Sequence, residues 1–161
     1  MDIKSVFCVF FSPTGSTQTI VQNIAQGMQT EITDVMDCTN RSKRREGLEA
    51  IQSNLLIIGV PVYYGRVPQE AAPFLKSLSG RGVPVVLVVT YGNREYKDSL
   101  LELHDIAAEQ GFIPVAGGAF VAEHSYSLPS RPIAHGRPDA NDIAMAQDFG
   151  MQIRKEPELF L

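Results

Sequence analysis

The amino-acid sequence predicts an α/β fold in three layers, a five-stranded parallel sheet covered by helices on both faces. Three observations carry the prediction. Short apolar runs alternate with amphipathic stretches along the chain, as strands joined by crossover helices do. The middle runs are apolar throughout, as strands buried on both faces must be. Between the first run and the first amphipathic stretch lies Ser12-Pro13-Thr14-Gly15-Ser16-Thr17, four hydroxyls around one glycine, where a strand turns into a helix. A chain of 161 residues fits one domain, 1–161, with a real core, and no linker, repeat or low-complexity segment divides it.

Five runs qualify as strands: 5–11, 32–36, 55–60, 83–89 and 112–121. Pro84 falls at a strand start, where a missing N–H is tolerated. Ile20, Ile24 and Met28 share one helical face, as do Tyr96, Leu100, Leu103 and Ala107, and Ile143, Ala146, Phe149 and Ile153, so three helices are predicted. Asp139 and Asp142, just after Pro138, mark the start of the last one in the manner of a capping box. After Val67, Pro68 suits a first helical turn and Pro73 removes a further donor, so a helix there should start late. The basic cluster 41–45 reads as a solvated helix start. Residues 122–138, with three prolines and little periodicity, read as a long loop of the functional or mobile kind.

Composition excludes several functions. A formal charge of −4 does not suit a nucleic-acid binder, whose domain would be basic. No apolar run is long enough to span a bilayer and no leader segment precedes the first strand, so a cytoplasmic protein without membrane contact is the expectation. Cys8 and Cys38 are too few for a disulfide framework or a cluster and read as reduced and structural. His104, His124 and His135 lack ligand spacing, and no metal site is expected.

The hydroxyl-rich turn carries the first functional signal. Where a buried strand enters a helix, free backbone N–H groups and the positive end of the helix dipole converge on one point beyond the sheet, and an anion belongs there. Ser12, Thr14, Ser16 and Thr17 add donors without charge, and Gly15 allows close approach, so the stretch reads as a phosphate cradle. Ligands of such sheets bind outside the carboxyl ends of the strands. Two more loops fall there: Pro61-Val62-Tyr63-Tyr64-Gly65-Arg66 after the third strand, and Thr90-Tyr91-Gly92-Asn93-Arg94-Glu95 after the fourth. Each sets an aromatic beside a glycine and polar groups, which suits a flat heteroaromatic ring.

In these segments the chain resembles the flavodoxin family. Its turn matches the family's phosphate signature of hydroxyl, any residue, Thr, Gly, any residue, Thr, and the two aromatic loops fall where flavodoxins hold the FMN isoalloxazine. It is similar in particular to the flavodoxin-type domain of ferredoxin-flavodoxin proteins, in "GVPVYYGRVP" and in "EHS" followed by "GRPD". The resemblance implies a flavodoxin-like sheet of order 2-1-3-4-5. It also implies that Ser12, Thr14, Gly15, Ser16 and Thr17 bind the FMN phosphate. Tyr63 or Tyr64 would stack on one face of the ring and Tyr91 on or beside the other, with Gly65 as the backbone contact near flavin N5. His124, in Glu123-His124-Ser125 after the fifth strand, would reach the flavin edge or else be structural.

The function so implied is an FMN electron carrier, with redox proteins of the ferredoxin or reductase type as partners and an iron–sulfur domain, fused or separate, among them. Two alternatives stay open: an FMN-dependent NAD(P)H:quinone-type oxidoreductase, and a flavin-free interaction module. Rival chemistries lack their residues. A nucleotide-binding P-loop needs a lysine where Ser16 and Thr17 stand, a phosphatase loop needs a cysteine at Ser12, and the Gly-x-Ser-x-Gly hydrolase elbow is absent. Arg66 and Arg94 would either approach the reduced ring or pair with Glu70 and Glu95 at the surface.

Overall fold

The computed structural model describes residues 2–48 and 51–155. The elements run β1 (Ser5–Phe10), α1 (Ser16–Gly27), β2 (Glu31–Asp37), α2 (Arg41–Glu46), β3 (Leu55–Pro61), α3 (Ala72–Leu75), β4 (Pro84–Tyr91), α4 (Ser99–Glu109), β5 (Ile113–Val121) and α5 (Ala140–Lys155). The strands form one sheet in the order β2-β1-β3-β4-β5, with every pairing parallel. This is the order of the flavodoxin-like fold.

The period-2 alternation of side chains builds two cores, one on each face. Along β1, Val6, Cys8 and Phe10 enter the core formed with Ile20 and Ile24 of α1 and Ala146 and Ile153 of α5. Phe7 and Val9 enter the opposite core, with Phe74 and Leu75 of α3 and Leu103 and Ile106 of α4. β3 and β4 divide the same way, Leu55, Ile57, Val86 and Val88 against Leu56, Ile58, Val85 and Leu87. Each such buried aliphatic contributes about 1.5–3 kcal/mol of transfer free energy, and this fixes the strand ends against which the site is built. On the first face α1 and α5 touch backbone to backbone: a Cβ at Gly150 would run into the carbonyl oxygen of Ile24, and one at Gly27 into that of Gln147. Arg154 Nη1 donates to the carbonyls of Met28 and Gln29 at 2.7 and 2.6 Å, a cation at the end of α1 where the helix dipole favours one.

The structure adjusts some of the expectations and adds detail to others. The first strand ends at Phe10, although Phe11 N–H still bonds to Gly59 O. α4 begins at Ser99, after Tyr96. The Tyr96 ring packs edge-on against Tyr91 at 5.2 Å, its carbonyl accepts from Ser99 N and Oγ, and the positive φ of Lys97, +43°, interrupts the helical path. The prolines do delay α3, which keeps four residues. In the basic cluster α2 forms behind an Asn40 cap, but Arg44 leaves the solvent: its Nη1 donates to Cys38 O and Thr39 O, and its guanidinium lies 5.6 Å above the Phe11 ring. The 122–138 loop is folded onto the sheet end. Glu123 N–H donates to Arg137 O and His124 N–H to Ile133 O, while the Glu123 carboxylate accepts from Gly136 N–H at 3.0 Å and meets His135 Nδ1 at 2.9 Å.

The capping box at α5 forms as read. Asp139 Oδ1 accepts from the N–H groups of Asn141 and Asp142, and Asp142 Oδ2 accepts from Asp139 N–H. Arg137 holds the Asp142 carboxyl below its ordinary range. Both cysteines are free and buried, and burial pushes each thiol up to about 12. No helix among the described residues is long and apolar enough to cross a membrane.

Candidate functional site

Residues 12–17 form a tight turn between β1 and α1. Gly15 has φ +86°, the left-handed region that an L side chain enters only with strain, and its N–H closes back onto Ser12 O at 3.2 Å. The Ser12 hydroxyl accepts from Gln18 N–H at 3.0 Å, and Thr39 Oγ1 accepts from Ser12 N–H at 2.7 Å. Arg44, clasped on the Thr39 and Cys38 carbonyls, steadies that support. The N–H groups of Thr14, Ser16 and Thr17 have no acceptor among the described residues, and nothing lies within 4 Å of the place a Gly15 Cβ would occupy. Three free donors, the dipole of the 12-residue α1 and open space beside a left-handed glycine fit a phosphate without a cation.

The second part is a cleft of about 610 Å³, lined by Val62, Tyr63, Tyr64 and Gly65 after β3, by Tyr91, Gly92, Arg94, Glu95 and Lys97 after β4, and by His124, Ser125 and Tyr126 after β5. The β3 loop reverses in two residues. Tyr63 and Arg66 exchange both backbone hydrogen bonds, at 3.0 and 2.9 Å, around Tyr64 and Gly65, whose φ values are +54° and +77°. Such a turn favours Asn-Gly, and a tyrosine in its first central position holds a large ring 92% exposed over the cleft. The Tyr126 hydroxyl beside it favours the protonated form of Tyr64. His124 is fixed from two sides: its ring covers Gly92, where no Cβ would fit, and its Nδ1 accepts from Tyr126 N–H at 3.0 Å. A neutral His124 therefore carries its proton on Nε2.

The two parts are joined by a buried hydrogen bond between the hydroxyls of Thr17 and Thr90, 2.6 Å long, with Thr17 only 2% exposed. Thr17 thus offers an outside ligand its N–H, its hydroxyl being engaged inside. Both parts stand at the carboxyl ends of adjoining strands, β1, β3 and β4.

Of the residues picked out by sequence, the cleft gathers Val62, Tyr63, Tyr64, Gly65, Tyr91, Gly92, Arg94 and His124. Pro61 ends β3, the Thr90 hydroxyl faces Thr17, and Asn93, at φ +55°, shapes the turn behind the lining. Arg66 turns away from the lining, and its partner is neither Glu70 nor the ring position. Its Nε donates to Glu102 Oε2 at 2.8 Å, an oxygen that also accepts from Val67 N–H at 2.9 Å. That bond holds the Glu102 carboxyl below its ordinary range. Glu95 pairs with Lys97 at 3.5 Å, leaving Arg94 without an ion pair among the described residues. Sequence reading put Glu95 and Ser125 in the relevant loops without assigning them to the site, and missed Lys97 and Tyr126 as lining residues. Ser125 and Tyr126 lay within reach, since they follow His124 directly; Lys97 carried no signal, because only the fold brings it to Gly65. Among the described residues no cluster of three or more His, Cys, Asp or Glu is placed to hold a metal ion.

Comparison with known proteins agrees with this architecture. The flavodoxin 1 of Bacillus cereus superposes with a TM-score of 0.66 at 18% identity, over 94% of this chain and 98% of that one. A flavodoxin from the domain Archaea gives 0.61 at 11% identity, over 96% and 99%. The Flv1 flavodiiron core of Synechocystis gives 0.66 at 15%, over 98% of this chain and 37% of that one. At such identities the likeness is one of fold alone. Among curated sequences the chain is 27% identical over 142 residues to the aspartate carbamoyltransferase catalytic subunit of Vibrio vulnificus, covering 87% of this chain and 46% of that protein. The chain thus spans about half the length of the curated relatives it matches. The family model named Flavodoxin domain matches residues 7–105, more than half of the chain, from the first strand into α4 and across both the phosphate turn and the two aromatic loops. The chain belongs to the flavodoxin domain family.

Proposed function

We propose that this protein binds FMN and carries electrons between redox proteins. The observation that supports the reading best is the pairing of two unlike half-sites on one sheet edge: a cation-free cradle of N–H and hydroxyl donors at the start of α1, and an aromatic cleft at the ends of β3 and β4. A phosphate monoester suits the first and a flat heteroaromatic ring the second. The N–H groups of Thr14, Ser16 and Thr17, with the Thr14 and Ser16 hydroxyls, would hold the phosphate. Tyr63, Tyr64, Tyr91 and His124 would enclose the ring, and Gly65 would offer it backbone.

When bound, FMN supplies one-electron and two-electron redox chemistry. The chain's own residues then bind, orient and partly shield. Tyr64 and Tyr126 meet over the cleft, so the ring would be covered on that side, while the exposed rim leaves an edge open to a partner. Partners of the ferredoxin or reductase type suit that task. The test is direct: the purified chain is reconstituted with FMN and mixed with NAD(P)H, alone and with a flavoprotein reductase. A carrier shows flavin absorption bands and is reduced rapidly only when the reductase is present. Rapid reduction by NAD(P)H alone points instead to an oxidoreductase, and absence of flavin binding overturns the reading.

A further inference from the structure

The cleft lining is opposite in sign to the molecule around it. The chain carries a formal charge of −4, whereas the lining holds two cations, Arg94 and Lys97, and one carboxylate, Glu95. Lys97 is held there in an uncommon way. Its φ of +43° is a left-handed conformation that residues other than glycine, Asn and Asp rarely adopt. Its stem lies across Gly65: a Cβ on that glycine would stand 2.6 Å from Lys97 Cδ, 2.9 Å from its Cβ and 3.0 Å from its Cγ. The loop after β4 therefore rests on the turn after β3, and only glycine at 65 admits it. The ammonium is 3.5 Å from Glu95 Oε1, with the two side chains 56% and 68% exposed, a screened pair that leaves much of the positive charge to the cleft. The packing of its stem on Gly65 holds Lys97 at a ligand-sized cleft and keeps it in the lining.

We propose that Lys97 tunes this site, its ammonium favouring the anionic two-electron-reduced form of a bound flavin over the neutral one-electron-reduced form. This rests on the FMN reading above and deepens it. Adding an electron to the ring without a proton leaves negative charge, and a nearby cation stabilises it. An opposite charge at close range favours the charged form by about 10-fold to 1000-fold. Solvent and Glu95 set the effect at the lower end, about tenfold. Arg94 is the second cation of the lining, and Arg66, engaged by Glu102, contributes least.

The experiment is a spectroelectrochemical titration, with an electrode and mediator dyes as electron source, of the FMN-loaded chain and three variants. Lys97→Met keeps the stem and removes the charge, Lys97→Arg restores the charge, and Lys43→Met, on α2, makes the same change in net charge away from the cleft. Lys97→Met should lower the second one-electron couple relative to the first by about tenfold in equilibrium constant, about 59 mV. Lys97→Arg should return it to within about threefold of the parent, and Lys43→Met should move neither couple. The proposal is overturned if Lys97→Met leaves the second couple in place or moves both equally, if Lys97→Arg fails to rescue it, or if Lys43→Met does the same. Failure of the parent chain to bind FMN is a separate result, which removes the underlying reading and the role of Lys97 with it.

Discussion

The two halves of the proposed site, the hydroxyl-rich turn and the aromatic cleft, are built by different means. The first is contiguous: residues 12–17 form the cradle, and Gly15 at φ +86° and the start of α1 supply its geometry locally. The second is assembled from three loops, after β3, β4 and β5, that meet only because the parallel sheet sets those strand ends side by side. The first has no cation and donates through backbone; the second carries two cations and five aromatic or imidazole rings, Tyr63, Tyr64, Tyr91, His124 and Tyr126. A contiguous donor set can be strict about one functional group. An assembled wall can be retuned residue by residue without disturbing the other end.

The largest effect should follow from breaking the contiguous end. Gly15→Val places a β-branched residue at a left-handed φ, at a cost of about 1–3 kcal/mol, and fills the space open beside the turn. FMN affinity should fall by about tenfold to more than 100-fold in a fluorescence titration while circular dichroism stays native; undiminished affinity would remove the phosphate from this turn.

Next is the bond that joins the ends. Thr17→Val leaves the buried Thr90 hydroxyl without its partner and should cost about 1–3 kcal/mol of stability in urea denaturation. The double variant Thr17→Val/Thr90→Val, with both hydroxyls gone, should recover most of that loss. Additive losses would show that the two threonines are not coupled.

How much of this was legible follows the same division. The cradle and the Asp139–Asp142 box could be read because their partners lie within a few residues, and local chemistry decides them. The aromatic loops were legible as loops, each with its Tyr beside or near a Gly, but not their inner arrangement. Arg66 finds Glu102, 36 positions away, because the start of α4 packs beside the turn after β3. Lys97 meets Gly65 where the Tyr96 ring packs edge-on against Tyr91 and α4 starts only at Ser99. Arg44 leaves a basic, seemingly solvated helix for two carbonyls and an aromatic face. None of these pairings has a periodicity or a motif.

A smaller effect is expected at the assembled end, where the work is shared. Single replacement of Tyr63, Tyr64 or Tyr91 by Ala should cost a stacking partner about 0.5–1.5 kcal/mol beyond lost burial, with changed flavin fluorescence. Parental binding by all three would place the ring outside the cleft.

The smallest concerns the 122–138 loop that carries His124 and Tyr126. The Gly136 N–H, His135 and Ser127 hold the Glu123 carboxyl down at about 2, so its contribution is present above the ordinary glutamate range and lost as pH falls from about 4.5 toward 2. Glu123→Gln should raise amide exchange at Gly136 modestly at neutral pH and flatten the change that the parent shows on acidification. Equal exchange in both proteins would mean that the loop is held elsewhere.

The central claim, that one end of this site recognises phosphate and the other a flat ring, is tested most directly by titrating the unmodified chain with FMN and with riboflavin, which lacks the phosphate, and following flavin fluorescence. The account predicts that both are bound and that FMN is bound at least about tenfold more tightly, on the order of 1.4 kcal/mol or more. Equal affinity for the two flavins, or no change in the fluorescence of either, would contradict it.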